Sequence, residues 1–138
     1  MIYFAVLDTN VLVSALLKRS SLPWQVAEEA LHGKIIPLVN NEILAEYEDV
    51  LNRPKFKFNK RAIDTFLSDF KKRALFVETA IVEDIIPDPK DLVFYAVLME
   101  KRKDDEAYLV TGNLKHFPLK TFVITPREML DLSLIHIS

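Results

Sequence analysis

Apolar residues run without a break from Met1 to Leu7 (Met-Ile-Tyr-Phe-Ala-Val-Leu), and the run stops at Asp8. A segment apolar on both faces predicts a buried strand in the middle of a sheet, here at 2–7. Further apolar runs predict strands at 35–39, 74–77, 108–111 and 122–124. Between them lie stretches of helical character at 10–18, 23–32, 41–51, 60–72, 89–102 and 126–130. In the third stretch Ile43, Leu44, Tyr47, Val50 and Leu51 share one stripe at helical spacing, the mark of a face turned to a core. Strands alternating with helices of this length predict an α/β fold whose parallel sheet is covered on both faces.

Local chemistry supports several boundaries. Pro23, Pro89 and Pro126 each fit the first position of a helix, where a missing N–H costs nothing. Thr125-Pro-Arg-Glu128 has capping-box spacing, so each end can satisfy a free N–H at the other. Gly33 suits a left-handed cap closing the second helix. Only 2 glycines and 7 prolines occur, and no linker, repeat or low-complexity segment breaks the chain, so one domain over 1–138 is expected.

Composition then removes several classes. Half of the residues are hydrophobic, 50%, which excludes a disordered chain. The absence of cysteine excludes disulfides and thiolate metal sites and suits a cytoplasmic location. No apolar run has membrane-spanning length, and the first one lacks a basic flank and is interrupted by Asp8, so neither a membrane anchor nor a signal peptide is expected. His32, His116 and His136 form no ligand-spaced pair; His116 reads as a surface loop residue and His32 as the last turn of a helix. The formal net charge of -2 predicts no general attraction to nucleic acid. The charge is unevenly spread, however. Residues 53–61 (Arg-Pro-Lys-Phe-Lys-Phe-Asn-Lys-Arg) carry no acid and interleave two aromatics, while acids gather near 42–49, 83–91 and 104–106.

Five polar positions fall at or just beyond predicted strand ends: Asp8, Glu46, Asp88, Asp91 and Asn113. In a parallel sheet these ends share one edge, where ligands bind. Carboxylates that converge repel one another unless a proton or cation is shared. Oxygen donors without histidine or cysteine suit a hard cation, Mg2+ or Mn2+, and the chemistry such an ion supports is phosphodiester hydrolysis without a side-chain nucleophile. There is no phosphate-cradling glycine loop, no Gly-x-Ser-x-Gly elbow and no catalytic cysteine. Plainer readings stand beside these. Glu46 can be a solvated helical glutamate, Asp88 a helix cap and Asp91 a partner of the helix dipole. Asp8 has the weakest such alternative, because an unpaired charge at the end of a buried strand is costly.

Four segments, in order, resemble the motifs of PIN domains: Val6-Leu-Asp-Thr-Asn-Val-Leu-Val-Ser14, the stretch from Glu42 to Phe56, Asp88-Pro-Lys-Asp-Leu-Val-Phe94, and Tyr108-Leu-Val-Thr-Gly-Asn-Leu-Lys-His-Phe-Pro118. The resemblance is greatest to the bacterial and archaeal branch regarded as toxins of toxin–antitoxin pairs. It implies an α/β/α sandwich, a Mg2+- or Mn2+-dependent endoribonuclease, a cognate antitoxin as partner, and often a homodimer. Carried over by motif, the metal-binding acids are Asp8, Glu46 and Asp91, with Asp88 as alternative or supplement. The fourth position, commonly aspartate, is Asn113 here, which keeps an oxygen but loses a charge. Thr9, Asn10 and Thr111 would lie near the site, with Asn10 positioning an acid by hydrogen bonding.

RNA would need contacts outside the acids. Arg53, Lys55, Lys57, Lys60 and Arg61 follow the Glu46 helix and would meet phosphates, while Phe56 or Phe58 would stack on a base or else anchor in the core. Two other classes compete. A non-catalytic PIN-like binding module draws support from Asn113. A receiver-type phosphoacceptor domain would want paired acids after the first strand, and a haloacid-dehalogenase-like phosphatase an Asp-x-Asp where Asn10 stands.

Overall fold

The computed structural model describes residues 2–79 and 81–135, with side chains as far as Ser133; His136 lies outside the described residues. Its elements run β1 (Tyr3–Leu7), α1 (Thr9–Leu17), α2 (Leu22–Leu31), β2 (Ile35–Val39), α3 (Asn41–Leu51), α4 (Lys60–Arg73), β3 (Leu75–Phe76), α5 (Leu92–Lys101), β4 (Ala107–Val110), β5 (Val123–Ile124) and α6 (Pro126–Ile135). Short 3₁₀ turns occupy Pro54–Phe56, Pro89–Asp91 and Leu114–His116.

All five strands pair in parallel, in the order β3-β2-β1-β4-β5. Helices on both faces complete a three-layer α/β/α sandwich: α5 packs on β1, β2 and β4, whereas α2 packs on β2, α1, α4 and α6. The apolar run at the N-terminus takes the central place expected of it. Ala5, Val6 and Leu7 are fully buried, as are Leu109 and Val110 of the neighbouring β4. Pro37 sits inside β2 without cost to the ladder. Lys34 O accepts from Tyr3 of β1 and Val39 O accepts from Val77 on the β3 side, so odd positions of β2 face β3. Pro37 therefore points its missing N–H to that side, one residue before pairing with β3 begins at Leu38.

Three boundaries differ from the expectation. The stretch from Pro89 opens as a 3₁₀ turn and becomes α-helical only at Leu92, because Asp88 Oδ1 accepts from the Lys90 N–H at 2.9 Å and tightens the turn. The strand at 74–77 shrinks to an edge pair, matched only to Leu38 and Val39. The last helix runs past 130 to Ile135, since Met129, Leu130 and Ser133 continue a buried face.

From β1 the chain steps outward to β2 and β3, then crosses back to β4 and β5 on the other side. The reversal lies between β1 and β4, and open α/β sheets bind ligands in the crevice at such a point. Leu7 and Val110 pair there, so the residues just beyond, Asp8 and Thr111, are neighbours despite their separation along the chain.

Candidate metal centre

Asp8 is only 3% exposed. Its N–H donates to Val110 O at 2.9 Å, and its Oδ2 accepts from the Thr111 hydroxyl at 2.8 Å. Thr111 is itself fixed by an N–H donated to Ile124 O at 2.9 Å. The carboxylate is thus aimed by β4 and β5. Although Asp8 occupies the cap position of α1, its side chain closes no capping hydrogen bond. Burial raises the Asp8 carboxyl; the Thr111 hydroxyl, the nearby Thr9 and Asn10 amides and His116 pull it partway back.

Glu46 arrives on α3. Asn40 Oδ1 caps that helix by accepting from the Ile43 N–H at 2.8 Å. One turn on, the fully buried Tyr47 donates its hydroxyl to Leu7 O at 2.6 Å, tying α3 to the last residue of β1. Phe70 meets the Tyr47 ring edge-on at 5.7 Å and Phe94 lies at 6.2 Å. With Tyr47 anchored, the adjacent Glu46 reaches Thr9, whose hydroxyl donates to Oε2 at 3.3 Å. Glu46 is half-buried at the edge of the apolar face.

Asp91 ends the 3₁₀ turn and is half-buried. Its carboxyl is pushed up to about 6, first by burial, then by the charges of Asp8 and Asp88; His116 opposes the rise and Glu46 adds slightly to it. Asp88 is exposed and does cap the turn, yet it lies close enough to act on Asp91. Asn113 follows β4. Its backbone N–H donates to Thr111 Oγ1 at 3.0 Å, and its side-chain Nδ2 lies 2.9 Å from His116 Nε2. His116 Nδ1 in turn lies 3.5 Å from Asp91 Oδ2. A chain of contacts therefore runs Asp8–Thr111–Asn113–His116–Asp91.

The five positions singled out in the sequence are thus brought to one crevice, and two residues change role. His116, expected on a surface loop, joins the group; the spacing of Asn113 and His116 across one short turn was the only local signal of it. Asn10 is exposed and meets Asp8 through its backbone amide, while the hydroxyls of Thr9 and Thr111 bond the Glu46 and Asp8 carboxylates. Among the described residues no three acids or imidazoles are drawn together tightly enough to enclose an ion. The donor set is all oxygen with one imidazole beside it, and its unneutralised charge fits a hard divalent cation.

The basic segment is exposed throughout at Arg53, Lys55, Lys57, Lys60 and Arg61. Arg53 pairs with Asp49 at 3.3 Å and Lys60 with Asp64 at 3.6 Å. Phe56 and Phe58 stack on each other at 5.7 Å and pack against Val13, Val50, Leu51 and Ile63, so both rings serve as anchors. Between them Lys57 takes the left-handed conformation, φ 57°.

None of the curated proteins matches the chain. Among solved structures, VapBC2 from Rickettsia felis bound to a DNA fragment from their promoter is similar with a TM-score of 0.56 at 15% identity, over 88% of this chain and 96% of that one. PAE2754 from Pyrobaculum aerophilum is similar with a TM-score of 0.56 at 15% identity, over 96% of this chain and 90% of that one. At such identity these likenesses bear on the fold. The family model described as PIN domain matches residues 5–115, from the strand that delivers Asp8 to the turn that holds His116, and the chain belongs to that family.

Proposed function

We propose that the protein is an endoribonuclease that hydrolyses RNA phosphodiester bonds with Mg2+ or Mn2+, and that it is the toxin of a toxin–antitoxin pair. PIN domains are generally nucleases that use divalent metal ions. The observation that carries the reading is the convergence of carboxylates at one sheet edge. Asp8 is joined through Thr111, Asn113 and His116 to Asp91, and Glu46 is held beside them by Thr9. There burial and the charges of Asp8 and Asp88 push the Asp91 carboxyl up to about 6. Negative charge is concentrated in this crevice beyond what the chain neutralises, which is the condition a cation relieves. Asp8, Glu46 and Asp91 would hold the ion, with Asp88 beside them and the Asn113 amide oxygen as a neutral donor. When bound, such an ion lowers the pKa of water and stabilises charge on a phosphoryl group under attack.

The chain's own groups do the rest. Thr111 and Thr9 hold the Asp8 and Glu46 carboxylates by hydroxyl hydrogen bonds. Arg53, Lys55, Lys57, Lys60 and Arg61 would contact RNA phosphates. Their segment is anchored on Val13, four residues beyond Thr9 on α1. At the helical rise that is roughly 6 Å along the axis, which supports an RNA path from the basic strip to the acids. The likeness to VapBC2, a structure bound to promoter DNA, supports a cognate antitoxin as partner.

The test uses purified protein, a mixed-sequence single-stranded RNA, and Mn2+, Mg2+ or EDTA, beside Asp8→Asn. Cleavage that requires metal and vanishes in the variant is expected. Cleavage that survives in Asp8→Asn would move the site elsewhere.

A further inference from the structure

Resting on the metal-centre reading above, we propose that His116 is a positioning residue: as the Nδ1–H tautomer it holds the Asn113 amide and the Asp91 carboxylate in place at the centre. The Asn113 Nδ2 can only donate, and it lies 2.9 Å from His116 Nε2. That nitrogen must accept, so a neutral ring carries its proton on Nδ1. Nδ1 is the atom 3.5 Å from Asp91 Oδ2. Each ring nitrogen thus meets a partner of the right polarity, and with Nε2 occupied by Asn113 the ring is not itself a ligand.

Two consequences follow for the site. An amide turned with Nδ2 toward His116 leaves Oδ1 as its only oxygen, unbonded among the described residues and available to a cation. The Asn113 backbone N–H also donates to Thr111 Oγ1, whose hydroxyl donates to Asp8, so Asp8 and Asp91 are joined through three intervening residues. Packing does not account for the placement of the imidazole, whose side chain is 44% exposed. The next residue, Phe117, is buried and fixes the turn, leaving His116 free to face Asp91.

The first readout needs no metal. A long-range proton–nitrogen correlation spectrum of the full chain at alkaline pH should show His116 with Nδ1 protonated and Nε2 bare; an Nε2–H ring overturns the assignment. The second is Mn2+ affinity, by calorimetry, of wild type, His116→Ala and His116→Gln. Glutamine still offers an oxygen to Asn113 and an N–H to Asp91. His116→Ala should weaken Mn2+ binding by about tenfold or more, the range for groups that orient ligands, with the unfolding midpoint unmoved and His116→Gln recovering most of the loss. Equal affinity in all three proteins, or a loss that tracks unfolding in both variants, overturns the role. RNA cleavage is followed in the same samples. A wild type that binds Mn2+ but cleaves no RNA defeats the nuclease reading and leaves the positioning role standing. Cleavage by the wild type with undiminished Mn2+ affinity in His116→Ala defeats the positioning role alone, and a wild type without Mn2+ affinity defeats both.

Discussion

Asp91 has a free-state carboxyl value of 3.8 and stands at about 6 in the fold, chiefly from burial. Between those values the folded chain binds more protons than the unfolded one, so this carboxyl makes stability fall as pH rises through the window. Without metal, Asp91→Asn removes that effect. The variant should therefore unfold at a higher temperature than wild type above pH 6, and the gap should close toward pH 4. Adding Mn2+ should reverse the order, because the wild type gains a ligand that the variant binds poorly. Thermal unfolding followed by circular dichroism across this range checks both; parallel curves for the two proteins would mean that the fold does not raise the Asp91 carboxyl. At this scale legibility depends on cost. Asp8 is readable because a carboxylate ending an apolar strand needs a partner, and Asp88 is readable as a cap from Pro89. His116 is not, because a lone loop histidine has no pattern until the Leu114–His116 turn and the register of β4 bring it to Asp91.

Elements deliver these side chains through few, specific ties. The hydroxyl of Tyr47 joins α3 to the end of β1 at 2.6 Å in a fully buried setting, and the acid it places is the preceding residue. Tyr47→Phe keeps the ring and its packing on Phe70 and Phe94 but leaves the Leu7 carbonyl without this donor. The expected loss is about 1–2 kcal/mol in urea denaturation, the cost of stranding a buried acceptor. Mn2+ affinity should fall as well, since Glu46 loses its anchor. A variant that loses stability but binds Mn2+ like wild type would show that Thr9 alone fixes Glu46. The stripe through α3 marks Tyr47 as core from sequence, whereas the target of its hydroxyl depends on how α3 crosses β1, which periodicity does not encode. Local devices are easier to read. Thr125 and Glu128 exchange the capping-box bonds at 3.0 and 3.2 Å because both partners lie within one turn.

For the whole molecule, alternation of strands and helices is enough to expect a covered parallel sheet, but not the order β3-β2-β1-β4-β5. That order rests on pairs such as Leu7 with Val110, and it places the reversal beside Asp8. On the proposed function, a chain of net charge -2 has to attract a polyanion. Acids collect in the crevice, while the basic strip rests on a separate anchor formed by Val13, Val50, Leu51 and Ile63. Within the strip Arg53 and Lys60 already have carboxylate partners, while no ion pair engages Lys55 or Lys57 among the described residues. Reversing both to glutamate, in an Asp8→Asn background that keeps RNA intact, should therefore weaken binding at low salt. It should also flatten the plot of log Kd against log salt by about 1.4, roughly 0.7 for each single-strand phosphate no longer neutralised. Both residues are exposed, and a left-handed Lys57 is no easier than a left-handed glutamate, so the fold should tolerate the change. Fluorescence anisotropy with a labelled oligoribonucleotide at several salt concentrations gives the slope directly; a slope equal to that of the parent protein would place the RNA path away from this strip.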